Sequence, residues 1–313
     1  MERPGRRARG RTGKEDGLRP KKCTGEGGAE IVYRVADDAG EGAPALVLAG
    51  GLGGTHLVWT ALTRGLRDRH RIVLWDYPGL TSGGSLPEDA PVDIAALARD
   101  QAAVLDAVGV ERAVAVGWSL GTQVAVEFAR LAPGRCRALV AICGVDGRPF
   151  LDDPEDEPIA AALGLREAVP GAVGWLSRRI ERIERLKAML RRIERPTRWA
   201  KRLGFVDPLV DELVFDAVTR DFIDLDPSTY RRYVEAAAAH DASDACGDLH
   251  LPVLAVAGER DRLLLPSRVE EMARAIPGAE YLAVRGATHF LPLEYPDTLT
   301  AEIEDFLRRR LDR

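Results

Sequence analysis

The stretch AVAVGWSLGTQVAVEFARLAP, residues 113–133, decides the fold. It passes from an apolar run through Gly-Trp-Ser-Leu-Gly into a helical pattern, with glycines two positions either side of Ser119, at Gly117 and Gly121. That spacing suits a sharp strand-to-helix turn, where side chains would clash with neighbouring backbone. A serine at the apex of such a turn stands clear of the sheet. The motif is short, so its context must decide whether Ser119 is a nucleophile or a small turn residue.

Apolar runs of strand length alternate with helical patterns along the chain. Such nearly continuous runs are typical of strands buried on both faces of a parallel sheet. They predict strands over 45–51, 71–77, 113–119, 138–144, 252–258 and 279–286, and the alternating pattern of 30–36 predicts a further strand. Helices are predicted over 56–67, 92–108, 120–131, 267–275 and 296–311. Asp93 and Ser267 are expected as helix N-caps. The alternation predicts an α/β fold, a mostly parallel central sheet flanked by helices.

One long segment interrupts this alternation. Residues 147–248 contain helical patterns and no convincing strand, and they include the acidic, proline-bearing DDPEDEP at 152–158. We expect a helical cap or lid inserted between two strands and covering one end of the sheet. The core would then consist of residues 29–146 and 249–313. Residues 1–28, rich in Gly, Arg and Lys, are expected to form a disordered basic tail.

Composition is that of an ordinary globular protein, with 46% apolar and 30% charged residues among 313. The net charge of −5 conceals two basic segments. Residues 1–22 carry nine Lys or Arg against three acids, and residues 178–202 carry eleven against three. Neither shows the aromatic interleaving of a nucleic-acid-binding surface, so no nucleic-acid partner is expected.

The cysteines and the apolar runs indicate a cytoplasmic protein. No run is long enough to span a bilayer, and the N-terminus lacks the apolar core of a signal peptide. The four cysteines stand at no metal-ligand spacing, which predicts reduced thiols: Cys23, Cys136, Cys143 and Cys246. We expect neither a metal nor an organic cofactor.

The basic stretch 175–199 has apolar residues every three to four positions, which predicts an amphipathic helix with arginines on its outer face. The plainest interpretation is a lid whose apolar face covers the site. Two alternatives stay open: docking to an anionic membrane surface, or steering of an anionic substrate such as an acyl thioester carrier.

Three chemically suggestive side chains each follow a predicted strand, in the order Ser119, Asp261, His289. Functional residues of parallel sheets collect at the carboxyl ends of strands. A serine hydroxyl is a poor nucleophile until an imidazole takes its proton, and a carboxylate on the other ring nitrogen fixes the tautomer. The pattern therefore predicts a catalytic triad. Asp146, after the preceding strand, is the rival carboxylate.

Four motifs carry a resemblance to the α/β-hydrolase superfamily: GWSLG at 117–121, GERD at 258–261, GATHFLPLEYP at 286–296 and WDYPGLTSG at 75–83. They resemble the nucleophile elbow, the acid loop, the catalytic-histidine motif with its trailing Glu-x-Pro, and the Asp-x-x-Gly loop. The resemblance implies a serine hydrolase with a helical cap, in which Ser119 attacks, His289 is the base and Asp261 orients it.

The resemblance also implies an oxyanion hole, and here the sequence departs from the family. The turn after the first buried strand usually reads His-Gly-x, but Gly50 stands where the histidine would be. The backbone N–H groups of Leu52 and Leu120 still meet the chemical requirement. Trp118 and Gly51, beside them, are the expected substrate-binding residues.

The expected activity is cleavage of a carboxylic ester, thioester or lactone with an apolar part through an acyl-enzyme. A carbon–carbon bond hydrolase or perhydrolase, and a non-catalytic small-molecule-binding protein, are the alternatives on the same fold. The remaining histidines are all expected to be structural or solvated, and among them His240 is the first candidate to line the pocket: His56, His70, His240 and His250.

Overall fold

A computed structural model describes residues 18–40, 42–80, 82–147, 185, 187–189 and 191–311. They contain an eight-stranded sheet of order β1-β2-β4-β3-β5-β6-β7-β8. The strands are β1 (Lys21–Thr24), β2 (Glu30–Ala36), β3 (Ala45–Ala49), β4 (Arg71–Asp76), β5 (Ala113–Trp118), β6 (Cys136–Ile142), β7 (Val253–Gly258) and β8 (Glu280–Val284). The β1–β2 and β2–β4 pairs are antiparallel and the others parallel, which confirms the predicted fold class.

Helices cover both faces of this sheet, and apolar side chains fill the space between. We label α1 (Thr60–Leu66), α2 (Ile94–Ala107), α3 (Leu120–Leu131), α4 (Pro196–Arg202), α5 (Glu212–Ile223), α6 (Pro227–Ala239), α7 (Pro266–Ala275), α8 (Leu291–Glu294) and α9 (Pro296–Leu311). Short 3-10 helices occupy Glu26–Gly28, His56–Trp59 and Ser243–Asp248. Among the described helices, none combines the length and apolar character needed to cross a bilayer.

The predicted helix starts are confirmed at one position and wrong at another. The Asp93 carboxylate accepts the Ala96 N–H at 2.7 Å and caps α2, as expected. Helix α7 instead begins at Pro266, with Leu265 as its N-cap, so Ser267 lies inside the helix. Proline suits the first helical position because its φ is preset and its missing N–H would have no intrahelical acceptor there.

The predicted disordered tail is too long. Residues 1–17 lie outside the described residues, but Lys21–Thr24 form β1, which pairs antiparallel with β2. The turn that follows is anchored from α2, where the Asp100 carboxylate accepts the Glu26 N–H at 2.6 Å. The local composition indicated disorder because it carries no information about this anchor, which lies more than seventy residues away in the chain.

Residues 147–248 connect two neighbouring strands, β6 and β7. Residues 148–184, 186 and 190 lie outside the described residues; the rest of this connection contains α4, α5, α6 and a 3-10 helix. Residues 175–184, 186 and 190 of the amphipathic helix predicted over 175–199 are therefore outside the described part of the chain. The predicted continuation of this helix to residue 199 is wrong, because Arg195 has a non-helical backbone (φ −135°, ψ 81°) and a separate helix, α4, starts at Pro196. A residue before proline is disfavoured in helical conformation.

Candidate active site

The turn between β5 and α3 holds Ser119 in the left-handed region, with φ 55° and ψ −118°. A Cβ on Gly117 would lie 2.1 Å from the Gly121 carbonyl oxygen, and a Cβ on Gly121 would lie 2.0 Å from that of Ala49. Only glycine tolerates such close backbone approach. The predicted sharp turn is confirmed, and it presents a half-buried serine at the end of β5.

Three side chains from the ends of β5, β7 and β8 form one hydrogen-bonded chain. His289 Nε2 lies 3.0 Å from Ser119 Oγ, and His289 Nδ1 lies 2.8 Å from Asp261 Oδ2. The other Asp261 oxygen accepts the N–H groups of Leu263 and Leu264, at 2.8 and 2.9 Å. Both carboxylate oxygens are thereby engaged, so the acid is held in one orientation. The residues that sequence reasoning selected are brought together.

The rival carboxylate lies elsewhere. Asp146 Oδ2 accepts the Cys246 thiol, with Sγ 3.0 Å away, and no hydrogen bond among the described residues joins Asp146 to His289. Burial, with the Asp146 charge added, raises the pKa of the Cys246 thiol and keeps it a donor. Asp261 is therefore the carboxylate that contacts the imidazole.

The turn after β3 packs directly against the serine. A Cβ on Gly51 would lie 3.2 Å from the Ser119 Cβ, which shows how closely this backbone approaches. The Gly54 N–H closes the turn by donating to the Gly51 carbonyl at 2.9 Å. In the described loops and turns, the N–H groups of Leu52 and Leu120 donate to no backbone oxygen. These two groups therefore stay the predicted donors of the oxyanion hole.

Tyr77 supports this turn in the absence of the family's histidine. Its hydroxyl donates to the Gly50 carbonyl at 2.6 Å, from the loop after β4. Burial raises the pKa of Tyr77, so the hydroxyl stays protonated and remains a donor. Sequence reasoning missed this role, and the only available signal was the position of Tyr77 in the WDYPGLTSG loop.

Asp76 ties the same two loops together. It accepts the His56 N–H at 2.8 Å and the Ser82 hydroxyl at 2.6 Å, and it pairs with Arg34 at 2.9 Å. Burial acts to raise the pKa of Asp76, but hydrogen bonding and the charges of His56 and Arg34 outweigh it and hold the pKa below its usual value. The carboxylate therefore stays ionised and braces the turn behind the serine.

Trp118 does not present its ring to an open pocket. The side chain is 4% exposed, and its Nε1 donates to the His289 carbonyl at 2.8 Å. The indole also packs against Gly51 and Gly54. The expected substrate-binding role is therefore unsupported, because the indole is buried under the histidine loop (residues 285–290) and holds that loop in place.

A buried acid, Glu294, holds the other side of the histidine loop. Its carboxylate accepts the Thr288 N–H at 2.7 Å, the Thr288 hydroxyl at 2.6 Å and the Asp207 N–H at 2.8 Å. Burial raises the pKa of Glu294. The Glu-x-Pro pattern after the histidine was the sequence signal, but nothing in it identified the partner at Asp207.

The other histidines lie away from Ser119. His56 contacts Asp76, His70 Nε2 lies 3.0 Å from Glu304 Oε1, and His250 is exposed. His240 lines a groove of about 510 Å³ between the start of α2 and the end of α6, and Ser119 is not among the residues that line this groove. Burial lowers the pKa of His240, which favours the neutral ring. No group of three or more potential metal ligands occurs among the described residues.

Curated proteins of similar sequence include a polyketide synthase and a protein named as a carbamate hydrolase. The chain is 29% identical over 269 residues to the polyketide synthase ThaQ of Burkholderia thailandensis, matching 86% of this chain but only 12% of the synthase. It is 28% identical over 285 residues to RutD of Azorhizobium caulinodans, a proposed carbamate hydrolase, matching 90% of this chain and 96% of the relative.

Solved structures and a family model agree on the fold. An enol-lactonase from Burkholderia xenovorans superimposes with a TM-score of 0.69 at 22% identity, over 90% of this chain and 98% of that one. An esterase from Thermogutta terrifontis superimposes with a TM-score of 0.67 at 24% identity, over 93% of this chain and 98% of the esterase. At such identities the likeness concerns the fold alone. The family model described as "alpha/beta hydrolase fold" matches residues 44–296, and the chain belongs to that family.

Proposed function

We propose that this hydrolase cleaves a carboxylic ester, thioester or lactone through an acyl-enzyme on Ser119. The observation that carries the proposal is the hydrogen-bonded chain from Ser119 Oγ through His289 to Asp261, with links of 3.0 and 2.8 Å. Such a chain couples a hydroxyl to a base and the base to an orienting carboxylate, which is the requirement for activating serine.

In the proposed mechanism, Ser119 Oγ attacks the substrate carbonyl while His289 Nε2 takes its proton. Asp261 stabilises the resulting imidazolium, and the N–H groups of Leu52 and Leu120 receive the oxyanion. The tetrahedral intermediate collapses as His289 protonates the leaving group. Water then attacks the acyl-enzyme, giving its proton to His289, and the acid product departs as Ser119 is reprotonated.

Aromatic and aliphatic side chains of the helical insertion support an apolar substrate. Phe222 and Leu225 pack against the oxyanion turn, because a Cβ on Gly53 would lie 2.7 and 3.0 Å from their side-chain atoms. Phe215 stacks edge-on against Phe290, next to the base, with ring centroids 5.0 Å apart. We infer that this insertion is a cap over the site and supplies the apolar wall of an acyl pocket.

The named relatives widen the set of carbonyl substrates to be tested. A polyketide synthase carries its acyl groups as thioesters, and a carbamate carbonyl is attacked by the same chemistry as an ester. Carbon–carbon hydrolysis and perhydrolysis use the same nucleophile and stay alternatives within this proposal. The proposed substrate remains a small molecule with an acyl group.

The first experiment compares wild type with Ser119→Ala on p-nitrophenyl esters of increasing acyl length, and on the same acyl groups as N-acetylcysteamine thioesters. We expect hydrolysis that depends on chain length and collapses at least about 10³-fold in the variant. A wild-type rate equal to that of the variant on every substrate would reject ester and thioester hydrolysis.

A second measurement separates an enzyme from a binding protein on the same fold. A fluorophosphonate probe should label wild type at Ser119 and leave Ser119→Ala unlabelled, since the probe reacts with activated serines. Labelling without turnover of any substrate in the series would favour a binding protein that has kept a reactive serine. Labelling together with turnover would support the hydrolase.

A further inference from the structure

The Glu294 carboxylate is a junction between two parts of the molecule. One side reaches the histidine loop through the N–H and hydroxyl of Thr288, and the other reaches the helical insertion through the Asp207 N–H. Two of the three groups around it are backbone N–H donors, and the third is a hydroxyl that donates. Oε1 accepts two of these bonds and Oε2 accepts the third, so both carboxylate oxygens are engaged.

Several hydrogen bonds hold the histidine loop, including one from the Arg260 N–H to the Ala287 carbonyl at 2.8 Å, and two sets of contacts flank the base itself. Thr288 directly precedes His289 and is bound to Glu294, while the His289 carbonyl accepts the indole N–H of Trp118 from β5. A displacement of Thr288 would move the imidazole relative to Ser119, because the Trp118 contact fixes only one side of the residue. Glu294 is therefore one of the groups that hold the backbone next to the base.

The insertion side of the junction is itself firmly placed. The Asp207 carboxylate accepts the Leu209 N–H at 2.9 Å, and its other oxygen lies 3.9 Å from Arg260, the neighbour of Asp261. Val206 and Val210, on either side of this turn, are buried in the apolar cluster that contains α9. Residues 206–210 thus contact both Glu294 and the acid loop.

We propose that Glu294 is a positioning residue that transmits the position of the helical insertion to His289. When residues 206–210 are seated, the Asp207 N–H helps to fix the carboxylate, which holds Thr288 and aligns the imidazole with Ser119. The inference rests on the proposed hydrolase function. It adds a residue that acts on the triad without contacting substrate and links cap placement to nucleophile activation.

The test uses Glu294→Gln in the full-length protein, with Glu304→Gln as the matched control. Glutamine presents an NH₂ group to one of the three donors, so at least one bond is lost. We expect kcat for a p-nitrophenyl ester and the fluorophosphonate labelling rate of Ser119 both to fall about tenfold, with KM changed less than about twofold. Glu304 pairs with Arg69 and His70 away from the triad, and its variant should keep both rates.

Thr288→Val provides a second, nearly isosteric variant in case Glu294→Gln does not fold. It removes the hydroxyl donor to Glu294 and the weaker bond from the Phe290 N–H at 3.4 Å. We expect about a threefold loss of both rates, and less than the product of the single losses when it is combined with Glu294→Gln.

Two outcomes would decide against the proposal. A lower melting temperature with unchanged kcat and labelling rate would make Glu294 a structural residue only, and losses that multiply fully in the double variant would place Thr288 and Glu294 in separate roles. Both outcomes differ from failure of the hydrolase proposal, in which wild type itself would show no turnover above Ser119→Ala.

Discussion

The imidazole of His289 lies between a hydroxyl and a carboxylate, and the carboxylate decides which ring nitrogen carries the proton. Asp261 faces Nδ1 at 2.8 Å and is held by two backbone N–H groups. An ionised acid can only accept, so Nδ1 must donate and Nε2 is left to accept the Ser119 proton. At the scale of one residue, the chemistry depends on this orientation.

Asp261→Asn keeps the shape of the acid but offers an NH₂ group that can donate to Nδ1. The imidazole would then carry its proton on Nε2 and could not accept from Ser119. We expect kcat for a p-nitrophenyl ester to fall about 10³- to 10⁴-fold, with the fold unchanged.

Asp146→Asn is the matched control for this change. Asp146 is also a buried carboxylate after a neighbouring strand, but its partner is the Cys246 thiol. The kcat of the Asp146→Asn variant should stay within about threefold of the wild-type value. A larger loss in Asp146→Asn than in Asp261→Asn would reverse the assignment of the acid.

At the scale of elements, three backbone segments converge at the nucleophile turn. The end of β5 and the start of α3 approach each other within the span from Gly117 to Gly121, and Gly121 also approaches the carbonyl of Ala49 at the end of β3. The Gly121 carbonyl belongs to helix α3 and the Ala49 carbonyl to the paired strand β3, so neither can move aside. The glycines are required by packing as well as by the turn itself.

Gly121→Ala should destabilise the protein by more than about 3 kcal/mol, because its Cβ would lie 2.0 Å from the Ala49 oxygen. Gly134→Ala is the control: the same substitution meets no atom within 4 Å. Its free energy of unfolding should stay within about 1 kcal/mol of wild type. Urea unfolding measures both, and equal values for the two variants would contradict the clash.

At the scale of the whole molecule, the sheet extends past β2 because a helix from the core anchors the N-terminal hairpin. Asp100 on α2 accepts the Glu26 N–H and is 3% exposed. Burial, countered in part by that hydrogen bond, raises the pKa of Asp100 to about 6. The folded protein therefore holds this proton more tightly than the unfolded chain, where the pKa is 3.8.

The sign of the pH dependence follows from this difference. As pH rises from about 4 through about 6, the unfolded chain loses the proton first, so the free energy of unfolding falls by at most about 3 kcal/mol. Asp100→Asn should remove that fall while keeping the oxygen that accepts from Glu26. Urea unfolding of the variant and of wild type at pH 4.5 and 7.5 measures the change in the free energy of unfolding between the two pH values.

Asp106→Asn, on the same helix, is the control because its carboxylate is exposed and pairs with Arg135 at the surface. This variant should show the wild-type difference in stability between the two pH values. If Asp100→Asn also retained the wild-type difference, the fall would have to arise from another group.

The fold followed from local patterns, and most of it was predictable. Strands such as Ala45–Ala49 and Ala113–Trp118 are apolar throughout because both faces of the sheet are covered, and helix Leu120–Leu131 was predicted at its observed bounds. The side chains Ser119, Asp261 and His289 were recognisable because each follows a strand, and the carboxyl ends of parallel strands meet at one edge.

The strand-helix alternation, the sharp turn at Ser119 and the three candidate side chains could be predicted from the sequence, because each depends on a pattern of residues that are close together in the chain. Only the tertiary structure decided between Asp261 and Asp146, supplied Tyr77 as the support of Gly50, and joined Glu294 to Asp207. The physical reason is that a hydrogen-bond partner is selected by position in space. In the Glu294–Asp207 bond the partners stand 87 residues apart, and no local pattern encodes that distance.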